Sequence, residues 1–519
     1  MDRNDVLKKI EGEPSFDIII IGGGATGIGS ALEASLRGYS VLLVEKADFT
    51  KGTSSRSTKL IHGGVRYLQQ GDIFLVFEAL RERGYLMKNA PHLVHDQKFI
   101  IPNYRWWEGP FYTIGLTLYD LMSGLLSLGS SYHLSGRRVR KRMQGIRHKG
   151  LNGGVLYHDA QFDDCRLAMD LLHSCFENNG LAINYFPAVS ILKDPSGKVN
   201  GIRTRDQVTG REYNLYASAV INATGVWVDE VIKMDHPEAQ QLVKPSQGIH
   251  LVVDKKFLPG EYALMIPKTD DGRILFAVPW HDHIILGTTD TPLDNALEEP
   301  KAREEEIEFV LKTAGRYLNK APGRSDILSV FAGLRPLAAP KENTSKTKEI
   351  SRSHKIIVSQ SKLITITGGK WTTYRKMAED VVNKAAIIGG LNRTASRSKH
   401  YLIGGDSGTG RFNDQFDIYG KNAKKIRELV EQEPSLGEKL HPDLNYTRAE
   451  VVWLCRTEMV VKLEDLLARR LRILFLNARA AVKVAPIVAD IAAGELKWDK
   501  QKVKDELESF NELANNYIL

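Results

Sequence analysis

The feature that most constrains the fold of this chain is a glycine-rich turn between two apolar segments near its start. Residues 16–21 read FDIIII, which predicts a buried parallel strand. The turn over 22–27 reads GGGATG and satisfies G-x-G-x-x-G. A helical pattern over 28–37 then leads to a second apolar strand at 41–44. This order of strand, turn, helix and strand predicts a Rossmann-like fold that binds a dinucleotide.

Four residues of this segment have separate expected roles. Gly22 makes the tight turn, Gly24 lets the backbone approach a pyrophosphate, and Gly27 lets helix and strand pack closely. Glu45 ends the second strand, where a carboxylate can bind the ribose hydroxyls. The carboxylate argues against NADP, and the motif alone leaves FAD and NAD both open.

Composition narrows the class of protein. The chain has 519 residues, with 71 Lys or Arg and 63 Asp or Glu, which gives a net charge of +8. Its balance of 42% hydrophobic and 26% charged residues excludes a disordered, collagen-like or coiled-coil protein. The length predicts about three domains. Residues 1–15 are polar and do not read as a targeting segment.

The cysteine content argues against several kinds of site. Cys165, Cys175 and Cys455 are the three cysteines, and none forms a C-x-x-C pair. A disulfide framework, a structural zinc site and a four-cysteine iron–sulfur cluster are therefore not expected. We expect no metal, and a reducing, cytoplasmic compartment fits.

The positive charge is concentrated after the most apolar window of the chain. That window covers 111–129, and Asp120 in its middle argues against a membrane-spanning helix. The acid-free stretch from 121 to 158 contains Arg137, Arg138, Arg140, Lys141, Arg142, Arg147 and Lys149, and the aromatic residues upstream are Tyr104, Trp106, Trp107, Phe111 and Tyr112. This succession is typical of an interfacial anchor on an anionic membrane, and a buried helix followed by a solvated basic loop is the alternative. No nucleic-acid-binding motif accompanies the basic residues, so we expect no nucleic-acid partner.

Five ordered motifs carry a resemblance to a known family. The first covers 53–68 and reads TSSRSTKLIHGGVRYL. The others read NATGVW at 222–227, ILGTTD at 285–290, GLRPL at 333–337 and GGKWTTYRKMAE at 368–379. With these motifs the chain resembles the FAD-dependent glycerol-3-phosphate dehydrogenases, from about residue 16 to about residue 510.

The resemblance implies a function. It implies FAD as cofactor and oxidation of sn-glycerol 3-phosphate to dihydroxyacetone phosphate by hydride transfer to flavin N5. It also implies that the electrons pass to membrane quinone from an enzyme bound peripherally to the cytoplasmic membrane. A homodimer is a further expectation. Because Cys455 is the only cysteine after residue 175, the chain lacks the Cys-rich module of iron–sulfur-linked relatives. An oxidase that reduces O₂ to H₂O₂ is the alternative, and a non-enzymatic basic flavoprotein is a third hypothesis.

The resemblance also implies the site residues. His62 is the expected base, because an imidazole titrates near the working pH and two glycines after it permit close approach to a flavin. His250 and Lys370 are the other catalytic candidates, and the expected ligands of the substrate phosphate are Arg66, Arg335, Arg352 and Lys370. The expected cofactor-binding residues are Gly22, Gly24, Gly27, Glu45, Thr53, Ser54, Ser55, Lys59, Leu60, Gly63, Gly64, Ala223, Thr224, Gly225, Gly369, Lys370 and Thr372.

The expected fold class is α/β (α+β), with a Rossmann-like FAD-binding domain, an antiparallel-sheet substrate domain and an all-α C-terminal domain. We assign residues 1–80, 160–245 and 325–395 to the FAD-binding domain, 81–159 and 246–324 to the substrate or cap domain, and 400–519 to the helical domain. The patterns predict strands at 250–253, 274–278, 284–286 and 364–367, a helix at 298–318, a helix capped by Thr372 or Thr373, and C-terminal helices at 419–432, 447–460, 463–477, 479–493 and 499–516.

Overall fold

The computed structural model describes residues 1–64, 72–338, 354–405 and 414–519, which form two β-sheets and a C-terminal group of helices. The α/β (α+β) class is confirmed. Arg66 and Arg352, both expected in the substrate site, lie outside the described residues. The Gly-rich, polar composition of 399–417 predicts a linker, and part of that range also lies outside the described residues.

The strands follow one another along the chain with helices interleaved. They are β1 Ser15–Ile21, β2 Val41–Val44, β3 Leu60–Ile61, β4 His95–Asn103, β5 Tyr132–Ser135, β6 Gly153–Gln161, β7 Leu181–Ile183, β8 Ala188–Lys193, β9 Val199–Arg205, β10 Glu212–Asn222, β11 Val243–Asp254, β12 Ala263–Ile266, β13 Leu275–Trp280, β14 His283–Gly287, β15 Thr291–Pro292, β16 Ile327–Ala338, β17 Lys355–Val358 and β18 Ile364–Thr367.

The α-helices are α1 Arg3–Gly12, α2 Ala25–Leu36, α3 Ile73–Asn89, α4 Glu108–Ser123, α5 Gly136–Arg142, α6 Asp164–Glu177, α7 Val228–Asp235, α8 Glu304–Tyr317, α9 Tyr374–Ile388, α10 Ala423–Gln432, α11 Arg448–Thr457, α12 Ile473–Leu476, α13 Ala478–Leu496 and α14 Lys500–Ala514. Helix α8 begins six residues later than the predicted 298, at a point where the Glu306 side chain accepts a hydrogen bond from the Arg303 N–H.

The first sheet has a parallel centre in the order β18-β10-β1-β2-β7. Ile18, Ile19 and Ile20 of β1 are fully buried, because helices cover the faces of the sheet. Helix α2 packs against α6 and α9. This arrangement confirms the Rossmann-like fold, and the carboxyl ends of β1, β2 and β10 meet at one edge, where ligands bind in such sheets.

The second sheet is mostly antiparallel, in the order β15-β11-β14-β13-β12-β4-β6-β3, with β16 beside β11 and β5 beside β6. It contains the predicted strands at 250–253, 274–278 and 284–286. Strand β16 pairs with β11 along most of its length, although its residues fall in a range assigned to the FAD-binding domain. The domain boundaries themselves stay predictions.

The C-terminal helices pack around α13, which contacts α11 and α14. The predicted helix at 463–477 is wrong as one element: a π-helical segment, Asp465–Arg470, is followed by the short α12. The break falls at Arg472, whose φ of 62° is left-handed and cannot continue a right-handed helix.

Helix α4 has one buried and one exposed apolar face. Leu116, Tyr119 and Ser123 are buried against the second sheet and α3. Ile114 and Leu121 are each 72% exposed. The other exposed large apolar residues on or near α4 and the start of α3 are Ile73, Phe74, Phe77, Trp106, Trp107, Phe111, Leu118 and Leu125. Among the described residues, no helix combines the length and apolarity needed to cross a bilayer.

Candidate cofactor and substrate site

A long cleft lies at the carboxyl ends of β1, β2 and β10, and we call it the glycine cleft. Ten of the predicted cofactor-binding residues line it: Gly22, Gly24, Glu45, Thr53, Ser54, Ala223, Thr224, Gly225, Gly369 and Lys370. Two glycines of the turn have steric reasons to be glycine. Gly22 has a φ of 113°, and a Cβ on Gly27 would lie 1.8 Å from the Gly22 carbonyl oxygen. Gly27 therefore lies outside the cleft and serves helix–strand packing, as predicted.

Glu45 closes one end of the glycine cleft. Its carboxylate accepts hydrogen bonds from the N–H groups of Gly23, at 2.6 Å, and Ala47, at 2.8 Å. Burial raises the pKa of Glu45, although these two N–H groups oppose the rise. The cleft thus offers the N-terminal amides of α2 for a pyrophosphate and a carboxylate for ribose hydroxyls, and these donors and acceptors fit a dinucleotide.

One further cavity adjoins the cleft, and a second adjoins the first. The histidine cavity is lined by His62, His250 and Arg335 and shares Lys370 and Gly369 with the glycine cleft. The arginine cavity shares His62 and Arg335 with the histidine cavity and is completed by residues of β4, β6, β13 and the end of β14. Leu60 lines both of these cavities, Thr372 lines the histidine cavity, and Gly64 lines the arginine cavity.

The turn that carries His62 is held by hydrogen bonds on both sides. The Thr372 hydroxyl accepts from the His62 N–H and donates to the His62 carbonyl, both at 3.3 Å. The next N–H, on Gly63, donates to the Tyr119 hydroxyl at 2.8 Å, and that hydroxyl donates to Asp159 at 2.9 Å. Gly63 therefore faces Tyr119 and lies outside the three cavities. Its neighbour His62 is fixed where the two cavities meet.

Asp159 is a buried acid that sequence reasoning missed. Burial raises its pKa, and the Arg83 guanidinium, 2.6 Å away, opposes the rise. Its carboxylate lines the arginine cavity below the His62 turn. No sequence signal identified it, because its partners Arg83 and Tyr119 lie 76 and 40 residues away in the chain.

His250 is buried, and one of its ring nitrogens is hydrogen-bonded. Its Nε2 lies 2.8 Å from the Thr58 hydroxyl, and its ring stacks on Phe331 with centroids 4.9 Å apart. Burial, helped by the positive charges of Lys59 and Arg335, lowers the pKa of His250 well below its ordinary value. The ring is therefore neutral at physiological pH.

Arg335 reaches both cavities from β16. It donates to the Thr288 hydroxyl at 3.1 Å and pairs with Asp290 at 3.3 Å. Gly248 on the neighbouring strand makes room for it, because a Cβ there would lie 2.3 Å from Arg335 Nη2. Asp290 and Thr288 belong to the ILGTTD motif, so two of the five motifs meet at this guanidinium.

Lys370 lies at the junction of the glycine cleft and the histidine cavity, in the loop before α9. Thr373 occupies the predicted N-cap position of α9, but its side chain makes no capping hydrogen bond, because its hydroxyl donates to the Lys370 carbonyl at 3.3 Å. Trp371 in the same loop, which was not singled out in the sequence, donates from Nε1 to the Ser54 carbonyl at 2.9 Å. This bond joins the motif at 368–379 to the motif at 53–68.

Ser55 and Lys59, expected to bind cofactor, lie outside the three cavities. The Lys59 ammonium is 2.5 Å from Asp164 and 2.7 Å from the Ser55 carbonyl. It sits over the rings of Trp280, Phe331 and Phe475, at 5.2 to 5.6 Å. Burial and the nearby Arg472 lower the pKa of Lys59 to about 8, against the opposing charge of Asp164. The side chain thus packs between the sheets and the C-terminal helices, which sequence spacing could not reveal.

Metal and disulfide chemistry have no support in the described part of the chain. Cys165, Cys175 and Cys455 are buried and unpaired with one another. No group of three or more His, Cys, Asp or Glu side chains there is arranged to hold a metal ion.

The comparison with protein families defines the class. The family described as FAD dependent oxidoreductase matches residues 17–375, more than half of the chain. The protein is therefore an FAD-dependent oxidoreductase, and FAD is its cofactor. A second family, described as the C-terminal domain of alpha-glycerophosphate oxidase, matches residues 359–503.

Individual relatives narrow this class. The mitochondrial glycerol-3-phosphate dehydrogenase of Homo sapiens is 38% identical over 98% of this chain and 74% of its own length. That of Arabidopsis thaliana is 37% identical over 97% of this chain and 86% of its own. The structure of glycerol-3-phosphate dehydrogenase from Bacillus halodurans, complexed with FAD, matches with a TM-score of 0.81 and 28% identity, over 100% of this chain and 98% of that one. The chain belongs to the FAD-dependent glycerol-3-phosphate dehydrogenase family.

A more distant structure shares the fold alone. The L-alpha-glycerophosphate oxidase of Mycoplasma pneumoniae matches with a TM-score of 0.55 and 17% identity, over 75% of this chain and 99% of that one. This likeness does not separate a dehydrogenase from an oxidase, because both share the fold.

Proposed function

We propose that this protein oxidises sn-glycerol 3-phosphate to dihydroxyacetone phosphate and passes the electrons to a membrane quinone. The supporting observation is that His62 and Arg335 line the same cavities, and that one of these opens into the glycine cleft at Lys370. A proton acceptor, a cation for phosphate and a cofactor cleft are thus contiguous. These are the three elements that oxidation of a phosphorylated alcohol requires.

In the proposed reaction, His62 accepts the proton of the secondary hydroxyl. The hydrogen bonds between its backbone and Thr372 hold the His62 turn where the histidine and arginine cavities meet. When bound, FAD supplies the hydride acceptor at N5. Lys370 provides positive charge at the junction of the glycine cleft and the histidine cavity, where it can stabilise the negative charge that develops as the hydroxyl loses its proton.

Arg335 is the proposed phosphate ligand among the described residues, because a guanidinium fork matches phosphate oxygens. Arg66 and Arg352 remain proposed ligands on the resemblance alone. His250 is proposed as a second histidine of the site. Its neutral ring is hydrogen-bonded to the Thr58 hydroxyl and can therefore orient that hydroxyl. Thr58 lines both the histidine cavity and the arginine cavity.

Quinone and oxygen are separated by reduction followed by reoxidation. Purified holoenzyme mixed anaerobically with glycerol 3-phosphate should lose its yellow colour. The reduced enzyme should then regain its colour faster with a soluble quinone than with air-saturated buffer. Absence of bleaching would contradict the proposed substrate, and peroxide release at the rate of dye reduction would favour the oxidase.

We further propose peripheral binding to the cytoplasmic membrane surface. The support is the exposed apolar face of α4 next to the basic helix α5, since both helices pack on β5 and β6. Arg137, Arg138 and Arg140 of α5 are exposed. Apolar side chains flanked by cations suit insertion at an anionic bilayer surface. A homodimer remains a prediction.

A further inference from the structure

Arg273 is a second guanidinium in the arginine cavity, and it belongs to none of the five motifs. It precedes β13, in the turn that connects β12 to β13, and lines the cavity together with His62 and Arg335. Its side chain is 21% exposed. The cavity wall that faces the proposed substrate therefore carries two arginines among the described residues, one from the turn before β13 and one from β16.

The turn before β13 holds this guanidinium in place. The Thr269 N–H donates to the Arg273 carbonyl at 2.9 Å, and the Arg273 N–H donates to the Thr269 hydroxyl at 3.0 Å. Asp271 in the same turn pairs with Arg273 Nε at 2.9 Å. The Asp271 carboxylate thus fixes one edge of the guanidinium and leaves its other edge for another acceptor.

One nitrogen of Arg273 lacks such an acceptor. Nη1 is buried and has no hydrogen-bond partner among the described residues. A buried N–H donor of a charged group is costly when unpaired, so a site that retains one is suited to an acceptor supplied by a ligand. The acceptor must be small enough for the cavity and is best negatively charged.

The other charges of the cavity are compatible with an anion. Asp159 is paired with Arg83 and hydrogen-bonded by Tyr119, so its charge is offset by that guanidinium. Asp290 is paired with Arg335. A phosphate dianion would bring two negative charges to the guanidinium groups of Arg273 and Arg335. Asp271 already orients the first of these groups, and Asp290 orients the second.

We propose that Arg273 binds the phosphate of the substrate together with Arg335, and thereby contributes to selection of a phosphorylated over a plain polyol. This inference rests on the proposed function. The ligand atoms are the phosphate oxygens, Arg273 donates from Nη1, and no covalent step is involved.

The test uses the full holoenzyme and the variant Arg273→Gln. We expect the KM for glycerol 3-phosphate to rise roughly 10- to 100-fold, the range for loss of a charged hydrogen bond, with kcat changed by less than about threefold. The inhibition constant of inorganic phosphate, which probes the phosphate subsite alone, should rise by a similar factor. Arg273→Lys keeps the charge without the planar fork and should fall between wild type and Arg273→Gln.

The matched control is Arg316→Gln. Arg316 is exposed and pairs with Asp270 in the turn before β13, so it is close in the fold but lines none of the cavities. It should leave both constants unchanged.

An Arg273→Gln enzyme with full FAD content and a wild-type phosphate inhibition constant would overturn the proposal. A purely structural effect would also overturn the proposal. In that case FAD content and the thermal midpoint would fall in both Arg273 variants, while the inhibition constant of inorganic phosphate would stay at the wild-type value. Failure of the proposed function is a different result, because the wild-type enzyme itself would then show no flavin reduction by glycerol 3-phosphate.

Discussion

His62 and His250 lie in one continuous cavity system but in different surroundings. His250 is buried, stacked on Phe331 and held neutral by burial and by the charges of Lys59 and Arg335. His62 lies on a glycine turn whose backbone, not its ring, carries the bonds to Thr372. Burial of the His250 ring opposes a positive charge, so that ring is poorly suited to taking up a proton.

The role of His62 is tested by His62→Ala. We expect kcat to fall about 100- to 10,000-fold, the usual contribution of a general base, while FAD remains bound. Anaerobic stopped-flow measurement of flavin bleaching reports this rate. His236→Ala is the control, because His236 is exposed after α7 and lines none of the cavities. Unchanged bleaching in His62→Ala would assign the base elsewhere.

Gly248 allows a second prediction at the same scale. In Gly248→Ala the new Cβ would lie 2.3 Å from Arg335 Nη2, so the guanidinium must move. We expect the KM for glycerol 3-phosphate to rise roughly tenfold or more, with FAD content unchanged. Gly494→Ala is the matched control, since a Cβ at Gly494 meets nothing within 4 Å. Equal KM values for the two variants would contradict the assigned role of Arg335.

Helix α4 is the element whose surface differs most from that of an ordinary globular protein. The glutamate double variant Ile114→Glu and Leu118→Glu places charges on its exposed apolar face. We expect flotation with anionic liposomes to weaken at least about tenfold, because two apolar side chains no longer leave water. Leu297→Glu, at another exposed leucine, should float like wild type. Equal flotation of all three proteins would remove α4 from the membrane contact.

Helix α5 would supply the electrostatic part of the proposed membrane binding. Replacement of Arg137, Arg138 and Arg140 by Gln should weaken binding to anionic liposomes and leave binding to neutral ones unchanged. The wild-type protein should also lose anionic-liposome binding as salt is raised, because screening shortens the range of these charges. A variant that binds anionic liposomes like wild type would show that these arginines are only a solvated surface.

At the scale of elements, the sequence predicted the regular parts well. The strand at 364–367 and the glycine turn with its helix are confirmed, because periodicity and turn chemistry are local properties. The predicted helix at 463–477 failed at Arg472, since a single left-handed residue leaves no mark in hydrophobic spacing. The predicted cap position at Thr373 is confirmed, but the capping hydrogen bond is absent because the Thr373 hydroxyl donates to the Lys370 carbonyl instead.

The whole molecule is joined by a buried network of ion pairs between the C-terminal helices and the first sheet. Asp48, after β2, pairs with Arg469 at 2.5 Å and Arg470 at 2.8 Å. Glu458 pairs with Arg166 of α6 at 2.5 Å. Such pairs cost desolvation when they form, but removal of one partner leaves a buried charge and is strongly destabilising.

Glu458 gives this network a pH dependence. Burial alone would raise its pKa, but the charge of Arg166, with those of His173 and Arg470, outweighs burial and lowers the pKa to about 2. A carboxylate whose pKa is lower in the folded state stabilises the fold above its ordinary pKa, and this contribution is lost as pH falls towards about 2. We therefore expect stability to decrease between about pH 4.5 and pH 2.

Glu458→Gln tests this prediction. At pH 7 it should lower the free energy of unfolding by about 3 kcal/mol, and the difference from wild type should shrink through the same pH window. Urea unfolding at a series of pH values measures both. Glu495→Gln is the control, because Glu495 pairs with the half-exposed Arg456 and such pairs contribute less than about 1 kcal/mol. A difference that is independent of pH would contradict the assigned pKa.

At this scale the sequence predicted the architecture but not the contacts between its parts. The motifs predicted the residues that line the glycine cleft, because the residues of each motif are close together in the chain and are recognised by their spacing. Lys59 was misplaced because its partners, Asp164 and the rings of Trp280 and Phe475, are far away in the chain. Arg273 was missed for a related reason. It lies in an ordinary-looking turn just before the strand predicted at 274–278, and only the folded sheet brings it to the cavity that also contains Arg335.

Helix α4 also links the two proposals made for this protein. Its outward face is the proposed membrane contact, and its inward Tyr119 accepts the hydrogen bond from the residue next to His62. The separation of these faces is one helix diameter, roughly 10–12 Å with side chains. An enzyme held by α4 would keep its alcohol-oxidising centre at a fixed, shallow depth beside the lipid. The enzyme and the quinone would then both diffuse in the plane of the membrane. The enzyme could still rotate about the membrane normal, but it could not tilt away from the lipid.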